Sequence, residues 1–392
     1  MEHNISMVPS ASFYRSGTVD IEQAYGEEML GWNVPSDYMD YVHPHWRQYK
    51  APHLYQHFLL GFIYAIVFAM GMLGNLLVLW AFATTKGLRT PSNLFVANLA
   101  IFDTLMMSKL PLFVLNSAIE GQFLGKIGCD LYGLFGSYSG IGASITNAAI
   151  AYDRYRTISS PLDGRIGMKQ AMMLVLGTWM YASPFSILPL IGVWSRYVPE
   201  GYLTTCTFDY MKEGKHTQLF VMSIFGWSYV IPLLLIACFY SRILMQIRMH
   251  EKILKEQAKR MNVKSLTHGQ DRERSTEIRV AKVAIGIVIL FICAWTPYAI
   301  VAMMGCFSNR LLLTPTLSMI PAVACKTVAC IDPWIYAIHH PRFRAEIEKK
   351  MPWLCVFGKK TASDGSSYSG DNVTMKEEMS QVESKDCTTA VA

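Results

Sequence analysis

Long runs without a formal charge constrain this chain more than any other feature. Leu59–Ala83, Leu131–Tyr152, Gln170–Ser195, Leu219–Ser241 and Val283–Phe307 contain no Asp, Glu, Lys or Arg, and each exceeds 20 residues. A helix of about 20 apolar residues crosses the hydrocarbon core of a bilayer. Two more runs, Pro91–Ala118 and Leu311–Tyr336, are as long but are interrupted by Asp103 and Lys109 in one and by Lys326 and Asp332 in the other. Lipid offers the backbone no hydrogen-bond partners, so such runs must be helical. The expected fold is an all-α integral membrane bundle of seven transmembrane helices, with spans at about 56–83, 91–118, 130–155, 170–194, 219–246, 278–305 and 312–338. With 52% hydrophobic and 16% charged residues the chain is too apolar for an ordinary soluble protein and too charge-poor for a disordered one. A length of 392 residues leaves room for one membrane domain, 56–340, with an N-terminal tail over 1–55 and short loops.

Charge sets the orientation. Glu2, Asp20, Glu22, Glu27, Glu28, Asp37 and Asp40 outnumber Arg15, Arg47 and Lys50 in the N-terminal tail, whereas the loop between spans five and six is dense in Lys and Arg. Basic short loops stay in the cytoplasm, which puts the N-terminus outside and the C-terminus inside. The net charge of +6 follows from that basic face, suits anionic lipid, and does not argue for nucleic acid. The first 55 residues lack a secretory signal's apolar core and cleavage site, so the first span is expected to serve in targeting. Of two glycosylation sequons, Asn4-Ile5-Ser6 and Asn372-Val373-Thr374, only Asn4 lies on the expected outside.

From Met249 to Arg279 the sequence turns polar, and a helical extension of span five, a loop near Thr267–Asp271 and the start of span six are expected, with a solvated linker as the alternative. A short amphipathic helix over 341–352 suits the headgroup plane, followed by a Ser/Thr-rich cytoplasmic tail, 353–392. Cys129 at the outer start of span three and Cys206 in the outer loop before span five are the cysteines on the oxidising side, and a disulfide between them is expected. Cys355, just past the amphipathic helix, is a candidate for palmitoylation.

Ionisable residues at membrane depth cost roughly 2.5 to 3.5 kcal/mol on insertion scales and mark function. Lys326 lies mid-span, too far from either end for its stem to reach water. Its amine can pair with a carboxylate, ride a proton path, or attack a carbonyl to form a Schiff base, and the chemistry alone leaves all three open.

Several motifs bear on the choice. Asp153-Arg154-Tyr155 at the inner end of span three, Cys293-Ala294-Trp295-Thr296-Pro297 in span six and Asp332-Pro333-Trp334-Ile335-Tyr336 in span seven, with Asn75 and Asp103, resemble the rhodopsin-like G-protein-coupled receptors. A lysine seven residues before the span-seven proline, as Lys326 stands before Pro333, resembles the opsins within that class. His250-Glu251-Lys252 and the run from Gln257 to Val263 further resemble insect-type visual opsins that couple to Gq-type G proteins.

The resemblance implies 11-cis-retinal, or a hydroxylated derivative, bound to Lys326 as a Schiff base, and Tyr132 stands where vertebrate visual opsins carry a span-three counterion. Glu200 matches the counterion site of invertebrate opsins. Lys109 matches a lysine of ultraviolet-sensitive insect opsins; alternatively it snorkels outward or pairs with Glu120. Tyr132, Phe291, Trp295 and Tyr298 would line the retinal pocket. An activation switch would involve Asp103, Asp332, Pro333 and Tyr336, with Asp153 and Glu277 pairing with Arg154. Implied partners are a Gq-type heterotrimeric G protein, a receptor kinase and an arrestin reading Ser363, Ser366, Ser367, Ser369, Thr388 and Thr389. The implied place is a rhabdomeric photoreceptor membrane.

Two rival classes remain. A receptor for a diffusible ligand would need no covalent chromophore, but span three supplies no buried acid before Asp153 for an amine ligand. A transporter relaying protons through Asp103, Lys109 and Lys326 would favour internal repeats, and the halves show none. There is no P-loop, metal-ligand spacing or nucleophile elbow, so no enzyme is expected.

Overall fold

Seven spans form, and the breaks within them lie where proline removes a backbone donor. The computed structural model describes residues 28–160, 164–261, 270–307, 310–339 and 341–350. The expectations for Asn4, Cys355 and the tail serines and threonines fall outside these residues. In chain order the elements are α1 (Leu54–Thr84), α2 (Pro91–Ser108), α3 (Leu110–Ala118), α4 (Gly125–Ser159), α5 (Met168–Leu190), β1 (Tyr197–Glu200) and β2 (Thr205–Phe208). They continue with α6 (Lys215–Phe225), α7 (Ile231–Met261), α8 (Gln270–Cys306), α9 (Pro315–His339) and α10 (Pro341–Lys350). The second span is α2 with α3, the fifth is α6 with α7 joined by a π-helical turn at Gly226–Val230, and α10 is the short helix after the seventh. Helix α8 begins at Gln270, so Gln270 and Asp271 are helical rather than part of the expected loop.

Local chemistry sets several helix starts. At α2 the Thr90 hydroxyl accepts from the Asn93 N–H at 3.3 Å, and Pro91 takes the first turn, where its missing N–H costs nothing. At α1 the His53 N–H donates to Gln56 Oε1 at 3.0 Å in a reciprocal cap. Inside the bundle, each proline frees the carbonyl four residues before it. Pro232 frees Ser228 O, which accepts from the Ser144 hydroxyl at 2.7 Å; Pro333 frees Ala329 O, which accepts from Asn75 Nδ2 at 2.9 Å. Both donors come from neighbouring helices, so these freed carbonyls are also interhelical ties.

Among the described residues, five spans are long and apolar enough to cross a membrane by length and composition: 54–84, 91–118, 168–190, 215–249 and 285–306. The third and seventh are missing from that set. Helix α4 is diluted by Gly, Ser, Thr and Asn, and α9 by Lys326 and Asp332, whereas the second span qualifies despite its two charges. The reason is position. Helix α4 packs against α2, α5, α7, α8 and both strands, so little of it meets lipid. Its small residues admit large neighbours: Gly133 faces the Tyr197 ring, Gly140 the Trp295 ring and Gly142 the Phe102 ring. Helix α1, at the periphery, instead exposes Phe58, Leu59, Phe62, Ile66, Met70 and Leu73 along one lipid-facing side.

The N-terminal segment is more than a tail. An antiparallel bridge pairs Met29 with Lys50, and between them Tyr38, Val42 and Trp46 are buried. His45 Nε2 lies 2.7 Å from Leu313 O, and the Tyr49 hydroxyl donates to the same carbonyl at 3.2 Å, fastening this cap to the start of the seventh span.

Candidate functional site

The loop between α5 and α6 folds inward as a hairpin. Strands β1 and β2 pair antiparallel with Glu200 opposite Thr205 and Pro199 opposite Cys206, and they are almost wholly buried. A disulfide joins Cys206 to Cys129 in α4, with a Cα–Cα distance of 5.2 Å. The hairpin is thereby pinned across the bundle as a lid. Beneath it, one cavity is lined by Lys109, Tyr132, Glu200, Phe291, Trp295, Tyr298 and Lys326 together. These are the seven residues singled out from the sequence as attachment, counterion, tuning and pocket positions.

Lys326 is 5% exposed, and its Nζ donates to Ala322 O, one turn back in its own helix, at 2.6 Å. Among the described residues no carboxylate lies within 4 Å of that amine or of Lys109. The amine instead lies 5.6 Å from the Tyr64 ring centre and 5.9 Å from that of Tyr132. Lys109 is 7% exposed, and its Nζ sits 4.4 Å from the same Tyr132 ring. It therefore neither snorkels outward nor pairs with Glu120. The Tyr132 hydroxyl is buried with no protein hydrogen-bond partner.

Glu200 enters from the lid at 3% exposure. Its Oε2 accepts from the Tyr210 hydroxyl at 3.2 Å and its Oε1 from the Tyr298 hydroxyl at 3.1 Å. Tyr298 also lies 2.7 Å from Thr207 Oγ1. A hydroxyl has one proton, so a chain in which Thr207 donates to Tyr298 and Tyr298 to Glu200 satisfies all three. Burial pushes the Glu200 carboxyl up, while Lys326, the Tyr298 and Tyr210 hydroxyls and Lys109 pull it down. Burial and the Glu200 charge hold the Tyr210 phenol protonated well above its usual range, which keeps it a donor.

The far walls are aromatic. Phe291 stacks on Trp295 at 5.8 Å between ring centres, and Trp295 meets Tyr298 edge-on at 6.3 Å. Tyr229, carried inward on the π-helical turn, stacks beside Phe291 at 6.4 Å. The Trp295 ring also rests against Gly140. A cavity with an amine in its wall, aromatic neighbours and a lid suits a long apolar aldehyde, and the unpartnered Tyr132 hydroxyl leaves a polar atom in the same cavity.

Away from the lid, Asn75, Asp103, Asp332 and Pro333 line a second, small cavity. Asp103 Oδ2 and Asp332 Oδ1 have no hydrogen-bond partner there. Asp153 pairs with the adjacent Arg154. The Glu277 and Tyr336 side chains fall outside the described residues.

Reasoning from sequence missed Tyr210, Thr207, Gly136 and Cys325, which also bear on this site. Cys325 was legible as the neighbour of Lys326. Tyr210 carried no signal, because only the lid's fold brings it to Glu200.

Residues 74–336 match the 7 transmembrane receptor (rhodopsin family). The chain is 53% identical to the blue-sensitive opsin of Apis mellifera over 90% of this chain and 93% of that one. It is 47% identical to the ultraviolet-sensitive opsin of the same organism over 88% and 93%. The crystal structure of squid rhodopsin superposes with a TM-score of 0.76 at 32% identity, covering 80% of this chain and 91% of that one. The chain belongs to the rhodopsin family of seven-transmembrane receptors and, within it, to the opsins, light-sensing retinal proteins that act on heterotrimeric G proteins and are not enzymes.

Proposed function

We propose that this opsin is an ultraviolet-absorbing visual pigment that carries 11-cis-retinal, or a hydroxylated derivative, covalently on Lys326 Nζ, and signals through a Gq-type G protein. The observation that carries the reading is the buried amine of Lys326, which faces an aromatic-walled cavity and has a backbone carbonyl, not a carboxylate, as its partner. A lysine kept for an ion pair would have one, because a buried charge without a partner is costly. A nucleophile for an aldehyde needs no such partner. Bound retinal supplies the absorption of light and a change of shape.

The chain's own groups do the rest. Glu200, gripped by Tyr210 and Tyr298, supplies the negative charge beneath the lid. Phe291 and Trp295 confine the apolar end. Lys109 adds a second ammonium over the Tyr132 ring. Like charge there weakens the attachment nitrogen's hold on a proton, and retinal attached through an unprotonated nitrogen absorbs in the ultraviolet. Identity to the blue-sensitive Apis opsin, 53%, exceeds that to the ultraviolet-sensitive one, 47%. Each identity is an average over most of the chain, whereas colour turns on charges beside one nitrogen, so the reading rests on Lys109.

At the cytoplasmic end, Asp153 and Glu277 would restrain Arg154 in the dark. Asp103, Asp332, Pro333 and Tyr336 would form the flexible part of the bundle that repacks on illumination. The membrane domain would run over 56–340, with the N-terminus outside and glycosylated at Asn4, and α10 would lie at the inner surface ahead of a tail palmitoylated at Cys355. Phosphates at Ser363, Ser366, Ser367, Ser369, Thr388 and Thr389, added by a receptor kinase, would recruit arrestin in a rhabdomeric plasma membrane.

The test is an absorption spectrum of the purified protein reconstituted with 11-cis-retinal, before and after light. The expected result is a light-sensitive ultraviolet band, lost in Lys326→Ala and moved to the visible in Lys109→Glu. A visible band in the unaltered protein discards the ultraviolet assignment, and no pigment discards the attachment. Exchange of the loop between α7 and α8 should abolish phospholipase C activation, and unchanged coupling refutes the Gq assignment.

A further inference from the structure

We infer that Gly136 is the positioning residue for Lys109: by lacking a side chain it provides the seat in which the Lys109 ammonium rests over Tyr132, and so it sets the colour of the pigment jointly with Lys109. The inference rests on the tuning role proposed for Lys109 and adds a residue whose only contribution is empty space.

Three observations converge. The first concerns how Lys109 comes to face inward. Pro111 has no N–H to offer Met107 O, and the Lys109 N–H takes that carbonyl instead. Helix α2 therefore stops at Ser108, Lys109 adopts φ −85° and ψ −14°, and α3 starts at Leu110. The side chain leaves the bend into the bundle and is buried.

The second concerns the landing site. Tyr132 and Gly136 are four apart on α4, so they share one face of it. The ammonium lies 4.4 Å from the Tyr132 ring centre, where a desolvated cation is attracted by the ring's electron-rich face. A Cβ built on Gly136 would overlap Lys109 Nζ and would also lie 3.6 Å from its Cε. Apart from its two neighbours in the chain, no other described side chain meets that Cβ within 4 Å. The space above Gly136 is thus occupied by the lysine's tip.

The third concerns what gives way. The overlapping atom is the far end of a flexible side chain, so alanine at 136 would displace the ammonium and leave the helices where they are. Gly133 and Gly140 differ in kind, since a Cβ there would meet the rings of Tyr197 and Trp295. No carboxylate lies within 4 Å of Lys109 among the described residues, so once the seat is filled no ion pair holds the ammonium in place. Lys326 shares the Tyr132 ring at 5.9 Å, so displacement of Lys109 relieves the repulsion felt at the attachment nitrogen.

The test is a double-mutant cycle on the full chain reconstituted with 11-cis-retinal, read as the position of the absorption band. Gly136→Ala should shift the band to longer wavelength, as should Lys109→Met, and the double variant should lie where Lys109→Met alone lies. If Gly136→Ala forms no pigment, the double variant should regain it, because methionine's uncharged thioether end can turn away from the alanine methyl. A band for Gly136→Ala at the unaltered position, additive shifts in the double variant, or failure of both variants to form pigment each overturns the seat. If Lys109→Met leaves the band unmoved, the tuning role of Lys109 falls and the seat falls with it; if Lys109→Met shifts the band and Gly136→Ala does not, only the seat falls.

Discussion

Removing the Tyr210 hydroxyl should raise the proton affinity of Glu200 by a measurable and bounded amount. Tyr210→Phe keeps the ring, which fits against Gly305, and deletes one hydrogen bond of 3.2 Å to Glu200 Oε2. A hydrogen bond to a charged group contributes about 1.5–3 kcal/mol, and the length of this one argues for the lower end. One pKa unit corresponds to about 1.36 kcal/mol, so the Glu200 carboxyl should rise by about one unit. The bond favours the charged form, and its loss adds to the upward push of burial. Tyr298→Phe should act in the same direction, and because both tyrosines share one carboxylate the double variant need not show the sum. Infrared titration of the protonated-carboxyl stretch, assigned by its absence in Glu200→Gln, reads the midpoint directly. A midpoint that stays within about 0.3 unit, or falls, refutes the argument that Tyr210 stabilises a charged Glu200.

Four further outcomes are expected. The raised Glu200 carboxyl means that the folded protein holds a proton that the unfolded chain has lost above the ordinary value of 4.5. Stability should therefore fall as pH rises through the interval from 4.5 to the folded-state value and flatten beyond it, a slope that Glu200→Gln removes in thermal denaturation. Asn75→Ala leaves Ala329 O and Gly71 O without this donor and should cost about 1–3 kcal/mol, read as a lower melting temperature of the dark pigment. Trp46→Ala empties a site that is 1% exposed in the N-terminal cap and should cost about 3–5 kcal/mol, with proteolysis of the N-terminal segment as the assay. Cys206→Ser unpins the lid from α4 and should speed dark bleaching by hydroxylamine, and bleaching at the unaltered rate would show that the hairpin holds without its covalent tie.

Much of the fold was legible because a bilayer imposes length and polarity on any segment that crosses it. The apolar runs located the spans, and Lys326, an amine in the middle of one of them, was conspicuous without neighbours. Composition was less informative for α4, whose glycines and serines lower its apolarity because it faces protein on nearly every side. The N-terminal cap escaped notice because Pro35, Pro44 and the polar residues around them read as a solvated tail, although Tyr38, Val42 and Trp46 stand four apart. They are buried only once the loops and the start of α9 form a surface to receive them.

The sequence by itself determined which residues carry charge into the membrane and which two cysteines could pair. Those are properties of short segments, set by hydropathy and by position along the chain. Only the tertiary structure decided which way Lys109 points, that Glu200 is gripped by tyrosines 10 and 98 residues away, and that the gap beside Lys109 belongs to Gly136. Each of these depends on distances between different helices, and a residue that acts by leaving space empty has no signature until its neighbour occupies that space.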